Sequence, residues 1–227
     1  MTARIHSIET LGALDGPGVR TVIFFQGCPM RCLYCHNADM LSGVGEQKSI
    51  EELAAFCLRY KNYYGENGGV TLSGGEPLLQ AKAALALIEA LKKEGIHTAL
   101  DTAGAPFAPE TLAAADLVIL DVKHTVADEF FSLTKYKIDD TLKTLAYLQE
   151  HKKRFWVRQV IVTGITDGEA QIRKLKELAR NAEKIELLPY HKMGSDKWEK
   201  AGLSYSLKGI EPPSPEVMRR LDKILSE

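Results

Sequence analysis

Short apolar runs and helical stripes alternate along the chain. Residues 19–26 place Val22, Ile23, Phe24 and Phe25 in succession and read as a buried strand. Similar runs recur at 69–73, 96–100, 117–120, 154–162 and 184–188, and a shorter strand precedes them all at 4–9. Between the runs the spacing predicts helices over about 50–63, 78–93, from 109, over 140–152 and over 166–180, with a last helix after Ser214. Their ends carry start and stop chemistry. Ser49 with Glu52, and Thr166 with Glu169, read as capping boxes. Gly95 suits a left-handed stop, and Pro109 and Pro215 suit first helical turns, with Ser214 as N-cap. Leu53, Phe56, Cys57 and Tyr60 share one helical face, which makes Cys57 a core residue. Segment 42–48 reads as a polar connection and the stretch after His191 as a glycine- and lysine-bearing tail. Segment 124–138 is ambiguous, although Phe130 and Phe131 suggest packing.

Strand and helix alternate about six times, with no hairpin signal after the first turn. That order predicts an α/β fold: a parallel sheet with right-handed crossovers and helices outside. Six units are too few to close an eight-stranded barrel. Cys28, Gly75, Asp101, Asp121 and His191 each follow the end of a different predicted strand. In curved parallel sheets the active site lies on that carboxyl face.

Bulk properties narrow the class. The chain has 227 residues, 45% hydrophobic and 26% charged, with no repeat or linker, so a single domain over 1–227 is expected. The formal net charge is −1 and no Lys/Arg block appears, which speaks against nucleic-acid or acidic-membrane partners. No run approaches the roughly 18 apolar residues of a membrane span. The first residues lack the apolar run of a signal peptide. Four cysteines without such a signal fit a reducing cytoplasm.

Three of those four cysteines, Cys28, Cys32 and Cys35, fall within eight residues in the spacing C-x3-C-x2-C. One loop can wrap them around a compact metal centre, and three thiolates leave a fourth metal position open. A zinc site with His36 as fourth ligand is the alternative, although no second ligand pair follows. The glycines of Gly74-Gly75-Glu76-Pro77 at a strand end allow close approach of a ligand, although the segment could be a plain turn. Asp101 and Asp121 follow apolar strands, where a carboxylate must be capped, paired, solvated or metal-bound. Asp15-Gly16-Pro17-Gly18 is a fixed turn.

With an aromatic residue before its last cysteine, the segment 27–37 resembles the signature of radical S-adenosylmethionine (radical SAM) enzymes, and within them the glycyl radical enzyme activases. The resemblance runs from Arg4 to the C-terminal helix. It implies an open, partial (β/α)6 barrel of TIM-like type, whose lateral groove admits a protein loop. It implies that Cys28, Cys32 and Cys35 ligate a 4Fe–4S cluster and that the open iron binds S-adenosyl-L-methionine. Reductive cleavage would give a 5′-deoxyadenosyl radical that abstracts a glycine Cα hydrogen; pyruvate formate-lyase is the expected protein substrate. An activase for another glycyl radical enzyme, a radical enzyme acting on a small molecule, and a non-catalytic metal-binding module are the alternatives.

Residue by residue, the resemblance places Tyr34 and His36 near the adenine, and Gly74, Gly75 and Glu76 at the cofactor amino group. Asp121, Val122, Lys123 and His191 match further cofactor contacts. Asp101, Thr102, the Ile119 carbonyl and Asp121 match a monovalent-cation site for Na or K, whose oxygen-only donors suit a hard cation. Asp15 and Arg158 fall on the substrate side. Sister activases carry an inserted ferredoxin-like segment with extra cysteines; only Cys57 lies outside the motif here, which favours the simple activase. The resemblance also implies a cytoplasmic monomer with flavodoxin or ferredoxin as electron donor.

Overall fold

A computed structural model describes residues 1–41 and 44–227. Its elements in chain order are β1 (Thr2–Gly12), β2 (Arg20–Phe25), β3 (Glu46–Ser49), α1 (Ile50–Leu58), α2 (Lys61–Tyr64) and β4 (Gly69–Gly74). They continue with α3 (Ala81–Lys93), β5 (Thr98–Thr102), α4 (Pro109–Ala114), β6 (Leu117–Asp121), α5 (Ala127–Thr134) and α6 (Asp139–Glu150). The chain ends with β7 (Phe155–Ile161), α7 (Glu169–Leu178), β8 (Lys184–Pro189), α8 (Ser195–Lys200) and α9 (Pro215–Ser226).

All eight strands form one sheet in the order β3-β1-β2-β4-β5-β6-β7-β8. The six strands expected from the apolar runs, β2 and β4 to β8, pair in parallel. β1 and β3 extend the sheet antiparallel at one side. β3 and β8 are its two edges, so the barrel is open. The expected partial barrel is therefore the observed architecture, widened by a flap.

Buried side chains fall into three groups that follow from this layout. Between sheet and helices lies a layer that includes Leu53, Cys57, Leu72, Leu87, Leu120 and Leu175. Cys57 is fully buried there, as its helical face predicts. Ala99, Leu117 and Ile119 form a small second cluster with Trp156 against it. A third cluster holds Met30, Cys32, Tyr34, Phe130, Leu133 and Trp198 and supports the loop after β2.

Several local expectations need correction. The Ser49–Glu52 capping box forms, but the helix it opens breaks after Leu58 and resumes as α2. Thr166 caps nothing: its hydroxyl accepts from the Val162 amide and donates to the Val160 carbonyl, and α7 starts at Glu169 behind Gly168. The tail after His191 contains α8, and segment 124–138 contains α5. In α5 Phe130 is buried while Phe131 is exposed, so only the first packs. Of the polar connection 42–48, Glu46–Ser49 pairs with β1 as strand β3, and Ser42 and Gly43 lie outside the described residues. Asp101 and Asp121 are the penultimate residue of β5 and the last of β6, not the first residues beyond.

Candidate active site

One cavity of about 350 Å³ opens at the carboxyl ends of the parallel strands. That is within the roughly 300–1,000 Å³ usual for small-molecule sites. Cys28, Gly75, Asp101, Asp121 and His191 all line it, each carried there by a different strand. Cys32, Cys35, Tyr34, His36, Gly74, Thr102, Lys123, Asp15 and Arg158 line it as well.

The cysteine loop leaves β2 through Gly27, whose φ of +98° a side chain would resist. Backbone bonds hold it to the Gly-Gly turn: the Gly75 amide donates to the Phe25 carbonyl and the Glu76 amide to the Gly27 carbonyl, both at 2.9 Å. A Cβ on Gly75 would lie 2.2 Å from the Gly27 oxygen, so this position has room only for glycine. On its other side the loop rests on the end of α5, whose Thr134 and Leu133 carbonyls accept from the amides of Arg31 and Leu33. The Arg31 guanidinium donates to the Cys28 carbonyl at 2.7 Å.

All three loop cysteines are free thiols. Burial pushes the Cys28 thiol up to about 12, with the Glu76 charge adding to it. Burial does the same to Cys32, to about 12, against the opposing Lys123 charge. A cation bound among them would stabilise the thiolates against that burial. Among the described residues no three His, Cys, Asp or Glu side chains converge on a single-ion position. Ligands to separate irons of one cluster need no such convergence. Soft sulfur donors on one loop, free and facing a shared cavity, fit an iron–sulfur centre.

The polar side of the cavity is built on ion pairs. Lys123 Nζ lies 2.6 Å from Asp121 Oδ2 and sits over the Tyr34 ring at 5.8 Å. Burial works against the Lys123 charge, yet Asp121, Tyr34 and Cys32 together outweigh it and hold the ammonium well above its ordinary range. Asp101 is pushed up to about 6, by burial first and the Asp121 charge second, although Ser73 Oγ donates to it at 2.9 Å. The Tyr34 hydroxyl is buried with no hydrogen-bond partner among the described residues. His36 and His191 meet edge to face at 4.7 Å between ring centroids, and burial lowers the His36 pKa. Arg158 pairs with Glu186 at 2.7 Å and donates to the Leu14 carbonyl at 2.9 Å, which anchors the turn bearing Asp15.

Three expected site residues do not bring their side chains to the cavity. Glu76 is fully buried behind it, accepting from Thr102 Oγ1 at 2.5 Å, the Ala103 amide at 2.8 Å and the Leu78 amide at 2.9 Å. Val122 packs into the core layer. Ile119 packs with Ala99 and Leu117, although its backbone is the register partner of Asp101. The sequence reading also missed Ser73, Glu186, Tyr190 and Trp198. Ser73 and Tyr190 flank residues that it did select, and strand ends could have supplied them. Glu186 and Trp198 carry no local signal.

The comparisons with known proteins give the family. Residues 22–179 match the family model of the Radical SAM superfamily. The chain belongs to the radical SAM superfamily. Within it, the chain is 45% identical to a pyruvate formate-lyase-activating enzyme of Clostridium pasteurianum, over 99% of this chain and 97% of that one. It is 42% identical to the pyruvate formate-lyase 1-activating enzyme of Escherichia coli, over 99% of this chain and 95% of that one. This radical SAM chain also shares its fold with Streptococcus suis SuiB bound to precursor peptide SuiA. That likeness has a TM-score of 0.70 at 18% identity and covers 90% of this chain and 44% of SuiB. The matched span holds the cysteine loop, the Gly-Gly turn and both carboxylate strands.

Proposed function

We propose that this chain is the activase of pyruvate formate-lyase, an oxidoreductase that uses S-adenosylmethionine to place a radical on a glycine of its protein substrate. The observation that carries the reading is the convergence of three free thiols, the Gly-Gly turn, the Asp121–Lys123 pair and His191 on one carboxyl-face cavity. Near-full-length relatives that bear the activase name support it.

Cys28, Cys32 and Cys35 would hold a 4Fe–4S cluster. Bound there, the cluster would supply the one electron needed to split S-adenosylmethionine into methionine and a nucleoside radical able to take a glycine Cα hydrogen. The chain's own residues bind, orient and exclude water. Gly74 and Gly75 give the cofactor amino group close access to backbone. Lys123 pairs with Asp121 and balances its charge on the cavity wall. Tyr34, whose buried hydroxyl has no partner among the described residues, and the His36–His191 pair would form the wall for the nucleoside. Asp101, Thr102, the Ile119 carbonyl and Asp121 would share a Na or K ion, which would relieve the repulsion between the two carboxylates. Arg158 sets the position of the turn that brings Asp15 to the cavity, where the two would meet the protein substrate.

The test mixes the anaerobically reconstituted protein with reductant, S-adenosylmethionine and pyruvate formate-lyase. A persistent glycyl radical signal with matching 5′-deoxyadenosine is expected. It should vanish in Cys28→Ala, Cys32→Ala and Cys35→Ala. Deoxyadenosine without a protein radical would overturn the choice of substrate. Neither product from cluster-loaded protein would overturn the enzymatic reading.

A further inference from the structure

α8 has no counterpart in the apolar patterning, yet it packs on the back of the cysteine loop. The Trp198 indole N–H donates to the Cys35 carbonyl at 2.8 Å. Lys197 Nζ donates to Asn37 Oδ1 at 2.9 Å and lies 3.5 Å from Asp39. Gly194, just before the helix, fits so closely that a Cβ there would lie 2.5 Å from the His36 oxygen. The same segment is tied to the end of β8, because the hydroxyls of Tyr190 and Tyr205 share a hydrogen bond of 2.5 Å and Trp198 packs against Tyr205.

An indole is a donor only, so its buried N–H needs an acceptor. The carbonyl of half-buried Cys35 accepts that N–H, so the two groups satisfy each other. Trp198 is 6% exposed, so water does not readily replace it. The bond therefore fixes the peptide of one particular ligand. It also aims the positive end of an N–H dipole at the backbone beside an anionic centre. Hydrogen bonds to the sulfurs tune the potential of iron–sulfur centres, and a donor dipole on the ligand's own peptide acts on the same charge from slightly farther away.

The geometry points to Trp198 as a positioning residue that holds Cys35 in its ligating place and eases reduction of the cluster bound there. This rests on the reading of the three cysteines as cluster ligands. Trp198→Phe keeps the ring and removes the donor. Leu207→Ala, which thins the same apolar cluster without touching that bond, controls for general loosening.

Reconstituted wild type, Trp198→Phe and Leu207→Ala are compared in three ways: iron release to a chelator, reduction potential followed by electron paramagnetic resonance, and thermal melting. Trp198→Phe should release iron about tenfold faster. Its potential should also move to a more negative value than that of wild type. Leu207→Ala should lower the melting temperature and leave the potential in place. A Trp198→Phe potential equal to that of wild type, or an equal shift in Leu207→Ala, would overturn the inference alone. Wild type that takes up no four-iron cluster would overturn the underlying reading and this inference with it.

Discussion

Glu76 is a buried carboxyl that serves the fold next to a glycine that serves the site. Burial pushes its pKa up to about 7 from 4.5, although three donors from Thr102, Ala103 and Leu78 oppose the shift. The folded state thus binds the proton more tightly than the unfolded chain. That contribution is complete below about 4.5 and is lost as pH rises through about 7. Melting curves of wild type and Glu76→Gln across this range should therefore diverge, with wild type losing stability relative to the variant as pH rises. Parallel curves would show that Glu76 ionises freely. Gly75→Ala acts differently: its Cβ meets Gly27 backbone at 2.2 Å, and overpacking of that kind costs about 1–3 kcal/mol. Equilibrium binding should show S-adenosylmethionine affinity reduced by about tenfold. At this scale the sequence was legible where chemistry and spacing coincide, as in the three cysteines, and at strand ends such as Asp121. It was not legible for side-chain direction. Glu76 and Val122 sit beside true lining residues, yet the turn geometry that sends their side chains away involves contacts 26 residues distant for Thr102 and 37 for Gln159.

Elements that carry the site are held by a few buried polar bonds. Arg20 opens β2, is fully buried, and donates to Thr71 Oγ1 at 2.6 Å, the Pro17 carbonyl at 2.9 Å and the Val70 carbonyl at 2.8 Å. Thr71 passes the connection on to the Asp15 carbonyl at 2.6 Å. Arg20→Lys keeps a charge but cannot span these acceptors, and each buried carbonyl left unpaired costs about 1–3 kcal/mol. Urea unfolding should show a loss of about 2–4 kcal/mol, with cleavage of S-adenosylmethionine less affected than activation of the protein substrate. An unchanged unfolding midpoint would contradict this role. Long apolar strands and amphipathic helices announced themselves because period and burial agree. β3 did not, since Glu46–Ser49 is a polar edge strand that pairs only through its backbone. Nor did α8, a six-residue helix whose one buried side chain is Trp198. At Thr166 local chemistry misled, because its hydroxyl is spent within the strand-to-helix turn.

For the whole molecule, the order of elements predicts the parallel sheet and points to its carboxyl face, while the open barrel comes from the family resemblance, with which the count of units agrees. The sheet ends at β3 and β8 and does not close on itself, as entry of a protein loop from the side would need. A formal net charge of −1 gives little long-range steering, so recognition of that substrate should depend on shape and local contacts and be only weakly sensitive to salt. The account stands on one claim above the others: the Cys28, Cys32 and Cys35 thiols hold a cluster that faces the cofactor cavity with a coordination position free. The most direct measurement is electron paramagnetic resonance of the reduced, reconstituted protein before and after addition of S-adenosylmethionine. The account predicts a 4Fe–4S signal whose shape changes when S-adenosylmethionine is added. A zinc-filled protein without that signal, or a cluster signal indifferent to the cofactor, would contradict it.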